Sequence, residues 1–228
     1  MNYKNNLKYF KSNDKHFYIG VGILALGALC FFFALIGAYF LPYHEITSVL
    51  IALIGAVVAF VPRSMRSNEN DIDEIIAEKT RGYEKITAEN AGVEHMLSDK
   101  ITSVTVGDYV YDGEGIICRK GKDDGKCRTT VYTASALVFT NAAIYIAQKT
   151  FSLIDDTETE TETQFLYEEL DAVRAEEEIV YIMGARVKKV FIIFASDRED
   201  VMRIPVGHGM NAESFCDDIN HQISEIKK

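Results

Sequence analysis

Apolar and polar positions fall into three regimes along this chain. From Phe17 to Leu41 (FYIGVGILALGALCFFFALIGAYFL) there is no charged residue, and a second uncharged run covers Ile46 to Pro62. A helix needs about 20 apolar residues to cross the roughly 30 Å hydrocarbon core of a bilayer, and both runs approach or exceed that length. The pattern predicts two transmembrane helices over 17–62, following a short basic arm, 1–16. Small residues (Gly20, Gly22, Gly27, Ala34, Gly37 and Ala38 in the first run; Ala52, Gly55, Ala56 and Ala59 in the second) would let the helices approach closely inside lipid, where hydrophobicity gives no drive to associate.

The second regime begins after Pro62. Ser67-Asn68-Glu69-Asn70-Asp71-Ile72-Asp73-Glu74 combines capping side chains with acids at the positive end of a helix dipole. Ile72, Ile76, Lys79, Tyr83, Ile86, Asn90, Val93 and Leu97 then recur at heptad spacing, which predicts an amphipathic connector helix over 67–99. Gly82 and Gly92 weaken it. A helix docked on the following domain is expected, with a coiled-coil oligomer as the alternative.

From about Ile101 the period shortens. Gly115–Lys120, Thr129–Ala134, Ala136–Thr140, Ala143–Thr150, Thr159–Tyr167, Ile179–Gly184, Lys189–Ser196 and Val201–Val206 read as strands separated by polar turns. The tail, Asn211–Lys228, reads as a helix with Phe215, Ile219, Ile223 and Ile226 on one face. The fold class is therefore α+β. A helical membrane hairpin and a helical connector precede an antiparallel β domain over 101–228, bent or closed and capped by a C-terminal helix.

Charge orients this architecture. The arm carries Lys4, Lys8, Lys11 and Lys15 against Asp14, the link Pro42-Tyr43-His44-Glu45 has no lysine or arginine, and Arg63 and Arg66 follow the second run. The positive-inside bias then places both termini in the cytosol of a multi-pass protein in the cell membrane. Beyond Pro62 there are 20 basic and 32 acidic residues, net −12, which argues against nucleic acid as a partner.

The chemistry-bearing residues are sparse. Cys30, Cys118, Cys127 and Cys216 form no metal or disulfide framework, and His16, His44, His95, His208 and His221 show no ligand spacing. No motif of a hydrolase, zinc protease or nucleotide-binding loop occurs, so neither an enzymatic activity, a metal nor a cofactor is expected. Asp155-Asp156-Thr157-Glu158-Thr159-Glu160-Thr161-Glu162-Thr163 lacks the turn geometry of a calcium loop and reads as a charged edge strand.

Three segments carry a family resemblance. Ala136-Leu137-Val138-Phe139-Thr140-Asn141-Ala142-Ala143-Ile144-Tyr145-Ile146 resembles a strand–TN turn–strand run. Phe165-Leu166-Tyr167-Glu168-Glu169-Leu170-Asp171-Ala172-Val173 resembles the element that follows it. Phe191-Ile192-Ile193-Phe194, with Asn211-Ala212-Glu213-Ser214-Phe215, resembles last strands leading into a cap helix. Together they are similar to bacterial PH-like and GRAM-like domains of the pleckstrin-homology superfold. The chain has no tryptophan, so the cap-helix tryptophan of eukaryotic members is absent.

The resemblance directs attention to Arg119-Lys120-Gly121-Lys122-Asp123-Asp124-Gly125-Lys126-Cys127-Arg128. Lys120 or Lys122, then Lys126 and Arg128, match the spacing with which such domains grip phosphate, and these residues form the candidate anion site. A solvated turn, with Asp123 and Asp124 cancelling part of the charge, is the reading expected here. The function expected is binding: a membrane-anchored scaffold for protein partners or for further copies of the chain. The alternative is a sensor whose β domain takes a small anion or a lipid headgroup.

Overall fold

The computed structural model describes residues 2–11, 15–35, 44–64, 66–197, 199–207 and 210–228. It divides into two compact units, Asn2–Asn68 and Glu69–Lys228.

The first unit contains helices α1 (Tyr3–Lys11), α2 (Lys15–Leu35) and α3 (His44–Ser64). Much of the basic arm, 1–16, is α1. Its buried Asn6 accepts a hydrogen bond from Ser67 Oγ at 2.6 Å. Helices α2 and α3 run antiparallel in contact along glycine and alanine positions. A Cβ added at Gly20 would lie 2.4 Å from the Ala59 backbone nitrogen, and one at Gly27 would lie 2.5 Å from that of Ala52. From the other side, a Cβ at Gly55 would lie 2.4 Å from the Leu24 nitrogen. Only glycine permits this approach, so the small-residue stripe is the packing seam. The large side chains point away: Tyr18, Leu26, Phe32, Leu50, Leu53 and Phe60 are exposed. Among the described residues, one helix, over Lys15–Phe33, is long and apolar enough to cross a membrane, and the apolar part of α3, Ile46–Val61, is shorter. Of the expected pair of spans, the first meets that length among the described residues. The first apolar run's end and the link's Pro42 and Tyr43 lie outside the described residues.

The second unit opens with helices α4 (Glu69–Thr80) and α5 (Tyr83–Ala91), not with one continuous helix over 67–99. Gly82 and Gly92 have φ of 67° and 68°. Each lies in the left-handed region that ends a helix, so the glycines break the heptad stripe rather than merely weakening it. A short 3₁₀ turn, Glu94–Met96, leads to the strands.

Strands β1 (Val104–Tyr109), β4 (Val131–Phe139), β5 (Ala143–Ser152) and β6 (Glu158–Leu166) form an antiparallel sheet in the order β1-β4-β5-β6. The hairpin β2 (Cys118–Lys120) and β3 (Cys127–Thr129) is inserted between β1 and β4. Strands β7 (Ala172–Ile182), β8 (Ala185–Ser196) and β9 (Glu199–Val206) form the second antiparallel sheet. Gly207 closes one corner, its Cβ position only 2.7 Å from the Gly107 carbonyl oxygen. Helix α6 (Ala212–Ile226) completes the fold.

The main core lies between the sheets and α6. Leu137, Phe139, Ile144, Ile146, Val173, Ile192, Phe194, Ile204 and Ile219 are buried in it. The outer face of β4 and β5 is also covered, since Val138 packs with Ala88 of α5, Val93 and Tyr145. Burial on both faces makes Val131–Phe139 one strand where alternation suggested two. On α6 the buried stripe is Ala212, Cys216, Ile219 and Ile223, with Phe215 half-buried at its edge against Phe139. Polar groups fix the helix in register: the Asn220 side chain accepts from Val173 N–H at 2.8 Å and donates to Val173 C=O at 2.7 Å.

Candidate functional site

The basic hairpin is built around a turn that the chain's own carboxylate organises. Gly121 N–H donates to the Lys126 carbonyl at 2.8 Å, and Asp124 Oδ1 accepts from Lys126 N–H at 3.0 Å. A side chain at Gly121 would collide with that carboxylate, since its Cβ would lie 2.3 Å from Asp124 Oδ1. Lys120, Lys122 and Lys126 are exposed around this turn.

Arg128 behaves differently. Its side chain is 1% exposed, the largest fully buried side chain described. Arg128 Nε and Nη2 donate to Asp73 at 2.9 and 2.7 Å. Arg128 Nη1 and Nη2 donate to Asp124 at 3.1 and 2.7 Å. Each edge of the guanidinium therefore meets a carboxylate in a two-bond fork, the strongest planar pairing this side chain makes. A phosphate could reach it only by displacing one of them. Register separates it further from Lys120. Lys120 pairs with Cys127, and Arg128 with Arg119, so the two side chains leave opposite faces of the ribbon. The four expected anion ligands do not converge. Arg128 is a strut holding α4 to the hairpin, and the lysines are the part that faces solvent.

The strut has further members. Lys122 N–H donates to Glu69 at 3.2 Å, one helical turn before Asp73, and Tyr109 OH donates to Asp73 at 3.2 Å. Hydrogen bonding to Arg128 lowers the Asp124 carboxyl from 3.8 to about 2, and hydrogen bonds to Asp73, then to Asp124, raise Arg128. Burial, with Asp73 beside it, raises the Tyr109 phenol. Sequence reasoning missed Asp73. The available signal was the acid pair Glu69 and Asp73, four apart beside the apolar Ile72 and Ile76 on α4.

The remaining candidates take structural places. Burial and the neighbouring Cys127 raise the Cys118 thiol to about 11, and burial raises Cys216 to about 11, so neither is a thiolate at neutral pH. Most of the Thr/Glu run lies in β6, an edge strand exposed through its Thr/Glu part and half-buried at Phe165. Glu158 accepts from Lys79 at 2.9 Å and pairs with Lys149 at 2.6 Å, while Glu160 accepts from Tyr83 OH at 2.5 Å. These contacts tie β6 to α4 and α5. A cleft of about 260 Å³ lies between α5 and the β5–β6 pair, lined by Thr87, Ala91, Tyr145 and Glu162 among others. Among the described residues, no group of three or more His, Cys, Asp or Glu could hold a metal ion. His208 and the turn around it lie mostly outside the described residues.

No protein-family model matches the sequence, and no curated protein matches it. Among solved structures, the chain is similar to the hSac2 domain from human phosphoinositide phosphatase Sac2, at 15% sequence identity and a TM-score of 0.28. The match covers 68% of this chain and 79% of that one. A likeness at this level transfers neither site nor activity.

Proposed function

We propose that this chain is a membrane-anchored binding and scaffold module. Helices α2 and α3 together form the anchor, and the β domain recruits protein partners or further copies at the cytosolic face of the cell membrane. The observation that carries this reading is the division of residues on the hairpin. Glycine and alanine fill the seam between α2 and α3, while bulky apolar side chains face outward. Water penalises such an exterior, whereas lipid accepts it. The short apolar length of α3 is accommodated by local thinning of the bilayer or by flanking charges.

For the β domain, a bent antiparallel structure capped by a C-terminal helix is what the pleckstrin-homology resemblance implies, and the two-sheet arrangement with α6 supports it. The absence of tryptophan fits the bacterial type. Binding rather than catalysis is proposed because the most polar interior constellation, Arg128 with Asp73 and Asp124, is saturated by its own partners. Net charge of −12 beyond Pro62 favours proteins over nucleic acid. A second reading, a small anion held by Lys120, Lys122 and Lys126, rests on their exposure at one turn, now without Arg128.

Three experiments test the proposal. Carbonate-resistant membrane association is expected for the full chain, and release by carbonate would defeat the anchor. An impermeant maleimide should reach Tyr43→Cys but not Lys228→Cys in intact cells. The opposite pattern would reverse the topology. Native Cys216 is unsuitable as the probe because it is buried. Intact-mass measurement after mild detergent extraction should show more than one copy or a bound protein; a bare monomer would favour the anion sensor.

A further inference from the structure

The β7–β8 hairpin outruns its sheet. Strand β9 pairs with β8 only from Val190 to Ser196, whereas β7 and β8 stay paired out to Ile182 and Ala185. Beyond the Glu177–Val190 pair the two strands continue as a ribbon without β9, covered at its base on the face of Lys189, which is buried. Ile179 faces Lys188 and Tyr181 faces Arg186, so these four share one face, an extension of the face that carries Val173 and Phe194 inside the core. Outside the core this face is uncovered: Ile179 is 46% exposed, Tyr181 77%, and Met183 at the turn 71%.

The turn itself holds an unusual residue. Met183 and Gly184 have φ of 51° and 76°. A two-residue hairpin turn with both φ positive is ordinarily Asn-Gly or Asp-Gly, because a branched or long side chain is disfavoured in the left-handed region. Here a long apolar side chain occupies that position and points to solvent. Charge sets the ribbon apart as well. Beyond the Glu177–Val190 pair the ribbon carries three cations against one carboxylate, Glu178, which Arg203 holds at 3.0 Å, in a chain whose portion beyond Pro62 is net −12. Lys189 lies on the opposite face, near Asp112 at 3.6 Å and over the Phe191 ring. Lys188 also pairs with Glu177 at the ribbon's base.

We propose that this ribbon tip docks into the interfacial layer of an anionic bilayer. Met183, Tyr181 and Ile179 enter the headgroup–acyl boundary, and Arg186 and Lys188 lie against lipid phosphates. The side-chain chemistry favours lipid over a protein groove. A tyrosine has an apolar body and a polar tip suited to the interface, and long cations bury their stems while their heads stay wet. The local cationic charge counters the repulsion that the acidic domain would otherwise feel at an anionic surface. The inference rests on the anchor reading for the bilayer's presence near the domain.

The absence of tryptophan makes the test direct, since Tyr181→Trp is then the sole indole in the full chain. The chain is reconstituted in nanodiscs of phosphatidylcholine, or of an equimolar mixture with phosphatidylserine, with and without brominated acyl chains. Expected in the mixed discs are a blue-shifted emission and quenching by the brominated chains. Adding Arg186→Gln and Lys188→Gln should weaken the tip's partition about tenfold, less than two unscreened cations would give because Glu177 already neutralises Lys188 in part. Met183→Asn should also reduce quenching while leaving thermal stability equal or higher, because asparagine suits the turn; a purely structural Met183 would give the reverse. Water-like, unquenched emission in the mixed discs overturns the inference. So does a blue shift that is insensitive to brominated lipid and grows with copies per disc, which would mean the tip meets a second chain. If the chain fails to enter discs, the anchor reading fails. Quenching by added brominated vesicles of the same composition then decides the tip alone.

Discussion

The double fork on Arg128 permits a quantitative test. Asp73→Ala would leave a guanidinium that is 1% exposed with Asp124 as its remaining carboxylate, and would strip the acceptors from Nε and one Nη2 hydrogen. Deleting one partner of a buried ion pair costs about 3–5 kcal/mol. Two features reduce that figure here. The Asp73 side chain is 45% exposed, so part of its attraction is already screened, and Asp124 retains the other edge. A loss of about 2–3 kcal/mol is expected. Arg128→Met removes the charge and its desolvation together, and the two carboxylates can return to water. Its cost should be nearer about 1 kcal/mol. In the double variant, Asp73→Ala should then add almost nothing, giving a coupling energy of about 2 kcal/mol.

The measurement is urea unfolding followed by circular dichroism on a fragment beginning at Asn68, with slopes compared so that denatured-state changes are not mistaken for lost contacts. That fragment contains the whole unit Glu69–Lys228, including its core. The full chain in mild detergent, followed by thermal unfolding, provides an independent route. Additive costs for Asp73→Ala and Arg128→Met would refute the strut. So would an Asp73→Ala variant as stable as the parent, which would return Arg128 to the set of residues available for an external anion.

Further outcomes are expected. Asp124 has its carboxyl lowered from 3.8 to about 2, so the stability it contributes is fully present above about pH 4 and is lost as pH falls toward 2; Asp124→Asn should flatten acid unfolding in that window. Gly27→Leu should lower the thermal stability of the detergent-extracted chain by overpacking worth about 1–3 kcal/mol, whereas Gly22→Leu, whose Cβ would meet nothing within 4 Å, should be tolerated. Equal effects would remove the glycine seam. Ile219→Ala should destabilise the Asn68 fragment by about 3 kcal/mol, and Phe215→Ala by less, because Ile219 is fully buried and Phe215 only half-buried; the reverse order would displace α6.

Much of the β domain was legible because local signals and burial agree there. The Thr140-Asn141 turn fixes its own geometry: Thr140 Oγ1 accepts from Ala143 N–H at 3.0 Å, and β5 starts at that residue. Strand β6 was legible from Thr/Glu alternation, because an edge strand needs no tertiary partner to keep its pattern. Strand β1 was not, since Gly107 and Asp108 interrupt its apolar run. Gly107 is required there by close approach to Thr133, which only the folded neighbour explains. The first half of β7 was hidden by Glu176-Glu177-Glu178. Those acids are favourable in place because Arg203 donates to Glu176 and Glu178 at 3.1 and 3.0 Å across the sheet. Helix α1 was hidden because nothing local shows that Asn6 finds Ser67.

The anion-site reading failed at Arg128 for a related reason. A basic cluster in sequence states how many cations a turn carries, not which of them already has its counter-ion. Asp124, four residues before Arg128, was counted as cancelling charge in bulk, yet it acts as a directed ligand. Asp73, on another element, supplies the second fork. The exposed ribbon tip is the converse case. Arg186 and Lys188 gave no motif, and Ile179, Tyr181 and Met183 looked like ordinary strand residues. Pairing to β9 stops at Val190 and turns the same alternation from core-facing to uncovered. In both places the decisive quantity is where a neighbouring element ends, which no single segment encodes. Chemistry on this domain is therefore better sought where apolar and cationic side chains are left uncovered together than where cations are merely dense.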